Sequence, residues 1–383
     1  MYDFYEFFAG GGMARAGLGD NWKCLFANDF DRKKAAVYQK NWGGDHLRIA
    51  DVKSLTPGDL PHIASLVWAS FPCQDLSLAG GGAGLKGDRS GTFWPFWNLM
   101  KGLIKADRAP HIIVVENVCG TLTSHGGKDF AAICSAFEQE HYRCGAIVVD
   151  AALFLPQSRP RLFIIGIKDT IETPQTLIGD VSATWHPRAL QTAYQGLPTS
   201  AKQNWIWWNL AKPTASDRRF ADLIEDNPTS VRWHSVSETK RLLAMMSDIN
   251  LDKIEAAKHA GRRMVGAIYK RTRLDDDGLK VQRAEVRFDD VAGCLRTPAG
   301  GSSRQLIIVV DGDSVRSRLI SSRETARLMG LPDSYVLPEN YNEAYHLTGD
   351  GVVVPVVRHL AHHLLEPILE SVEDDRGSAR VAA

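Results

Sequence analysis

Runs of apolar residues, each closed by a polar or glycine-rich segment, recur through the first part of the chain. Runs of this kind read as buried strands. They fall at 2–8, 24–28, 66–70, 112–116, 146–149 and 161–167. Helical stretches, 31–40 and 130–140 among them, lie between some of these strands. Strand and helix in alternation predict an α/β fold, with a mostly parallel sheet covered by helices on both faces. From about residue 171 the alternation lapses, and tryptophans and basic residues cluster. Ser321-x-x-Glu324 has the form of a helix-capping box and predicts a helix after it. We therefore expect a first domain over 1–170, a second and smaller one over 171–318, and a segment 319–383 that returns to the first.

Composition narrows this picture without deciding function. A chain of 383 residues with 44% hydrophobic residues can bury a core and carry a second domain. The six cysteines form no CxxC pair and no Cys/His zinc spacing, so a reducing compartment and no structural metal are expected. No apolar stretch in the sequence approaches the length of a membrane span, and Met1-Tyr2-Asp3 begins no signal peptide, which implies a cytoplasmic protein. The net charge is zero, so any nucleic-acid surface must be a local patch.

Candidate chemistry collects at the ends of the predicted strands, where open α/β sheets place their ligands. Leu66-Val67-Trp68 leads into Ala69-Ser70-Phe71-Pro72-Cys73-Gln74 and then a loop rich in glycine. Cys73 is placed for nucleophilic work, although a free cysteine is more often a small core residue. Ile112-Ile113-Val114-Val115 delivers Glu116-Asn117-Val118, and Gln157-Ser158-Arg159-Pro160-Arg161 precedes Leu162-Phe163-Ile164-Ile165. A thiol, an acid and two guanidiniums thus converge on one sheet edge.

These three clusters, in this order, resemble the DNA (cytosine-5) methyltransferases of bacteria and phages. The resemblance extends to Phe7-Phe8-Ala9-Gly10-Gly11-Gly12 near the start and to the run from Glu324 to Tyr335 near the end. It implies an S-adenosylmethionine-dependent, Rossmann-like catalytic domain, with a target-recognition domain in the segment that lacks a family pattern. Cys73 is then the nucleophile at C6 of a cytosine extruded from duplex DNA, Glu116 its acid partner at N3, and Arg159 and Arg161 supply fixed positive charge. Of the two arginines, Arg159 is the expected direct contact. Transfer RNA is a second substrate class within the same family. A catalytically silent DNA-binding protein is a third reading, disfavoured by the intact Cys73, Glu116 and Arg159.

Glycines after the first strand permit a tight turn and close approach of a ligand to the backbone. Their spacing is Gly10-x-Gly12 with Arg15 three residues on, so the dinucleotide fingerprint fails. Asp29 ends the second strand, where it can accept hydrogen bonds from ribose hydroxyls, and Asp51-Val52 follows at a place to reach an adenine amine. The resemblance makes this the site of S-adenosylmethionine, released as S-adenosylhomocysteine, with Phe8, Phe30 and Phe93 beside it. The family usually has Glu where this chain has Asp29, and Gly-Asn where it has Gly349-Asp350. Asp350 and Val352 are the expected contacts from this last motif.

The loop from Gln74 to Thr92 is suited to closing over an extruded base, with Gln74, Ser77 and Arg89 expected at the DNA. Arg262, Arg263, Lys270, Arg271 and Arg273 form a basic stretch without an intervening acid, and Thr297 lies in a polar, turn-rich stretch beyond it. Such residues are expected to meet phosphates and bases. Family expectation adds monomeric action on double-stranded DNA, association with the nucleoid through it, and a cognate restriction endonuclease as companion.

Overall fold

The computed structural model describes residues 1–72, 85, 90–214, 217–274, 277–295 and 304–372, and these divide into two compact units. The first unit holds residues 1–150, 160–213 and the C-terminal stretch from Val352. Its strands are β1 (Tyr2–Phe7), β2 (Trp22–Asp29), β3 (Leu47–Ile49), β4 (Leu66–Ala69), β5 (Ile112–Val118), β6 (Tyr142–Asp150) and β7 (Pro160–Lys168). They form one sheet in the order β3-β2-β1-β4-β5-β7-β6. The five strands from β3 to β5 run parallel, and β7 runs antiparallel to both its neighbours. All six predicted strands are present, and the mostly parallel sheet is as expected. The short β3 gave no apolar run to read, because its residues are exposed or half-buried.

Strand order reverses between β1 and β4, the point at which such sheets open a crevice for ligands. The turn with Gly10 and Gly12 leaves β1, and the chain toward Cys73 leaves β4. Asp29 ends β2 and Glu116 lies near the end of β5. The topology thus gathers the candidate residues along one edge.

Both sheet faces are buried, as the continuous apolar runs require. The helices α1 (Met13–Leu18), α2 (Arg32–Trp42), α3 (Phe93–Lys105) and α4 (Lys128–Gln139) connect the strands. Phe93, Phe96 and Trp97 of α3 and Phe130 and Phe137 of α4 join the core of one face with Tyr5, Phe7, Val67 and Ile113. The helix α11 (Val354–Leu360) packs on α1, where a Cβ on Gly17 would collide with Val357.

Segment 171–213 belongs to this unit, not to the second domain expected from 171. It adds to the β6 edge: Ile206 N–H donates to the Cys144 carbonyl at 2.9 Å, and Val148 N–H to that of Trp185 at 2.8 Å. Trp185 and Trp208 are buried, while Trp205 and Trp207 pack on the core. The helices α5 (Arg188–Gln195) and α6 (Thr199–Gln203) complete the segment.

The second unit holds residues 151–159 and 214–351. Four antiparallel strands, β8 (Met264–Leu274), β9 (Lys280–Arg287), β10 (Leu306–Asp311) and β11 (Ser314–Leu319), form a sheet in the order β11-β10-β8-β9. Ile268, Ala284, Val286, Ile308 and Val310 make an apolar core with Leu242 of α7 (Val236–Leu243) and Ile254 of α8 (Asp248–Lys258).

The helix α9 (Ser322–Leu328) begins with the predicted capping box, Ser321 accepting from Glu324 N–H and Glu324 from Ser321 N–H. Its Glu324 forms a fully buried pair with Arg318 of β11 at 2.6 Å and also accepts from Glu225 N–H at 2.7 Å. The desolvation cost of burying such a pair is offset in part by its further hydrogen bonds. These bonds hold α9 to the second unit, so residues 319–351, including α10 (Tyr341–Asp350), stay there. The return to the first unit begins at Val352, not at 319. The run Tyr341–Val372 reaches membrane-spanning length, contrary to the sequence reading, but 67% of its most apolar window is buried within the protein and the chain is extended at Gly351. Core helices have this character.

Candidate active site

Catalytic geometry starts at the ends of β4 and β5. Beyond β4 the chain continues through Phe71, which is buried against Phe93, and Pro72. Cys73, Gln74, Ser77 and Arg89 lie outside the described residues, as does Thr297. Asn117 Nδ2 donates to the Phe71 carbonyl at 3.0 Å, while its Oδ1 accepts from Val118 N–H at 2.8 Å. The end of β5 therefore fixes the backbone two residues before Cys73. Sequence reading quoted Asn117 only as part of a motif and missed this hold.

Glu116 is 6% exposed. Antiparallel register sets Arg161 opposite Val118, which puts it on the same sheet face as Glu116, one diagonal away. Arg161 Nε lies 3.4 Å from Glu116 Oε1. The predicted acid and one predicted arginine are thus brought together. The other arginine is placed differently from expectation. Arg159 is 2% exposed and lies in the second unit, where its Nη atoms donate to the carbonyls of Leu295 (3.2 Å), Gly349 (2.8 Å) and Gly351 (2.7 Å) and to Cys294 Sγ (3.3 Å). A guanidinium has five donors in a fixed fork, and here four contacts occupy its Nη atoms. Arg159 therefore acts as a clamp on backbone, and the place beside the acid belongs to Arg161. Nothing in sequence distinguished the two.

Cys119 sits close by, under the influence of Arg161 and Glu116, but burial pushes its thiol up to about 11. Burial likewise pushes Cys24 up to about 12 and raises Cys134 well above the usual thiol range. Thiols held protonated in this way are poor nucleophiles.

The glycine turn after β1 is held from two sides. Gly10, with φ +56°, donates its N–H to Asp29 Oδ2 at 2.8 Å, and Asp29 Oδ1 accepts from Asp31 N–H at 2.8 Å. A Cβ on Gly10 would meet open space, whereas one on Gly12 would collide with Trp42 and Tyr38 of α2. Trp42 Nε1 donates to the Gly11 carbonyl at 2.9 Å, and the Arg15 guanidinium lies over the Trp42 ring at 5.1 Å. Trp42 was not visible as a site residue, because only the fold brings the end of α2 to the turn.

Phe30 is 69% exposed beyond β2, while Phe8, with φ +56°, packs partly on the core beside Phe96. Asp51 is exposed and caps the short turn after β3 by accepting from Lys53 N–H; Val52 beside it is buried. Phe93 has no exposed surface and stacks on Trp97, so it packs beneath the edge. Val352 is buried, and Asp350 is exposed at the end of α10. Burial raises the carboxyl of Asp29, opposed by Lys34 and the N–H groups of Asp31 and Gly10. Burial also pushes Glu6 of β1 up to about 8, so it is mainly protonated at neutral pH. Its Oε1 accepts from Arg15 N–H at 3.4 Å, and its Oε2 has no partner among the described residues.

The basic stretch that looked unopposed in sequence meets acids in space. Arg262 pairs with Asp290 at 3.5 Å and Arg263 with Asp226 at 3.0 Å, while Arg271 and Arg273 share Glu285 at 3.2 and 2.8 Å. Lys270 lies on the same strand, β8. Exposed pairs of this kind contribute at most about 1 kcal/mol and exchange readily for another anion. Among the described residues no group of three His, Cys, Asp or Glu side chains could hold a metal ion.

A sequence profile described as C-5 cytosine-specific DNA methylase matches residues 2–366. Type II methyltransferase M.BsuFI of Bacillus subtilis is 26% identical, covering 96% of this chain and 73% of the relative. Type II methyltransferase M.HaeII of Haemophilus aegyptius is 24% identical, covering 96% and 94%. Among solved structures, S. pombe Dnmt2 methyltransferase aligns with a TM-score of 0.58 at 17% identity, over 96% of this chain and 99% of that one. Entamoeba histolytica methyltransferase EhMeth aligns at 0.62 and 13%, over 97% and 99%. At these identities the structural likeness shows the fold alone.

Proposed function

Because the chain belongs to the C-5 cytosine-specific DNA methylase family, and is thus a DNA (cytosine-5-)-methyltransferase, we propose that Cys73 is its nucleophile, Glu116 its acid and S-adenosylmethionine its methyl donor. The observation that carries this reading is the pairing of the buried Glu116 with Arg161 at the end of β5, beside an Asn117 that holds the chain leading to Cys73.

Cytosine C5 is too poor a nucleophile to take a methyl group directly. Cys73 Sγ, as thiolate, forms a bond to C6; the C5–C6 double bond opens, and its electron pair makes C5 enamine-like. Glu116 hydrogen-bonds and gives a proton at N3 as negative charge builds in the ring. Arg161 fixes the orientation of Glu116 and adds positive charge beside the base. Once C5 has taken the methyl group, loss of the C5 proton to a base, return of the N3 proton to Glu116 and departure of Cys73 as thiolate restore the ring. The target must leave the duplex for any of this, at a cost of roughly a few kcal/mol offset by pocket contacts.

The residues present fit the donor. Open space over Gly10 admits a ligand against the backbone. Each Asp29 oxygen accepts one N–H and retains capacity for a ribose hydroxyl, and the exposed Phe30 ring offers a stacking face for the adenine. Asp51 would meet the adenine amine. The chemistry S-adenosylmethionine supplies when bound is an electrophilic methyl on a sulfonium. The type II names of the relatives support a partner restriction endonuclease sharing the target sequence.

A duplex carrying 5-fluorocytosine tests the covalent step, since fluorine at C5 cannot leave as a proton does and the Cys73–C6 bond persists. Wild-type protein with cofactor should give a denaturant-stable adduct, and Cys73→Ala none. Wild type that methylates ordinary DNA yet forms no adduct would overturn the covalent step.

A further inference from the structure

The hairpin of β8 and β9 extends past its own apolar core as a two-stranded ribbon. Paired residues share a face. Ile268/Val286 and Lys270/Ala284 begin one face in the core. The opposite face carries Tyr269/Glu285, Arg271/Arg283 and Arg273/Val281, with Arg287 below. Of the four arginines there, Arg271 and Arg273 pair with Glu285 and Arg287 with Asp289. Arg271 and Arg273 are about half exposed. Arg271 and Arg283 stand directly opposite, a like-charge pairing that destabilises a sheet. Of this opposed pair, Arg271 is relieved by Glu285, which it shares with Arg273, whereas Arg283 is exposed and has no ion-pair partner among the described residues.

An arrangement that costs stability and leaves an exposed guanidinium pair calls for an anionic, hydrogen-bonding occupant. The major groove admits a two-stranded ribbon, and its commonest specific contact is a guanidinium fork on guanine O6 and N7. We infer that this arginine face lies in the major groove of the substrate, with Arg283 and Arg271 reading guanine. The inference rests on the reading of the chain as a DNA methyltransferase and deepens it. It names Arg283, which the sequence reading passed over, and requires guanine in the recognition sequence at a ribbon-contacted base pair.

The test is a genome-wide 5-methylcytosine profile in a host without other cytosine methylation, for wild type, Arg283→Ala, Arg271→Ala and Gln282→Ala on the opposite face. Each arginine variant should relax one guanine position, lowering discrimination there by about 10–100-fold, with the other positions and the salt dependence of binding held. Gln282→Ala should keep the wild-type motif. Equal weakening on all sequences with a smaller salt slope would make these phosphate contacts and overturn base reading. An unchanged motif and rate would remove the ribbon from the interface. Both results leave the enzyme reading standing, whereas absence of 5-methylcytosine from wild type would end that reading first. Thermal melting of each variant, expected within a few degrees of wild type for exposed residues, separates recognition from folding.

Discussion

Arg159 and Arg161 stand two residues apart in one motif and do different work. Arg161 is set beside Glu116, so Arg161→Ala should lower kcat by about 100-fold with little change in specific DNA binding, as single-turnover kinetics and a binding titration would register. Arg159 joins Leu295, Gly349 and Gly351, so Arg159→Ala should cost roughly 2–4 kcal/mol in urea unfolding of the second unit. If Arg159→Ala kept full stability and lost turnover, the roles would be reversed. Trp42→Phe keeps an aromatic ring but loses the bond to Gly11; S-adenosylmethionine should bind about 5–10-fold more weakly by calorimetry, with kcat at saturation kept. Candidate residues at strand ends were legible because each motif pairs a reactive group with an apolar run. The division of labour between the arginines, the hold of Asn117 on Phe71 and the contact of Trp42 depend on register and packing, which no local pattern encodes.

Elements of the first sheet could be read because parallel strands buried on both faces leave continuous apolar runs. The exposed β3 and segment 171–213 left no such signal, and the latter is placed by its bonds to the edge strand β6. β1 carries a measurable consequence in Glu6, whose carboxyl is pushed up to about 8 by burial. Between its unfolded value near 4.5 and about 8 the native state holds the extra proton, so stability contributed by Glu6 is full below that window and falls as pH rises through it. Glu6→Gln removes this dependence. The variant should gain on wild type by up to about 1.4 kcal/mol per pH unit across the window, read from denaturation at pH 5, 6.5 and 8. A constant difference would mean that Glu6 does not take up the proton on folding.

At the scale of the molecule, two units carry two tasks. The first gathers a glycine turn, Asp29 and the Glu116–Arg161 pair along one sheet edge, with Cys73 next in sequence after Pro72. The second carries an antiparallel sheet whose ribbon presents arginines. Their boundaries were misread by sequence, because α9 looks like a return to the first domain until its buried Glu324–Arg318 pair is seen. The central claim is that Cys73 drives methylation of cytosine C5 at a specific sequence. Bisulfite sequencing of DNA from a host expressing the wild type, beside Cys73→Ala, tests it most directly. The account predicts protected cytosines in one short motif with wild type and none with the variant. Protection that survives loss of the Cys73 thiol would contradict it.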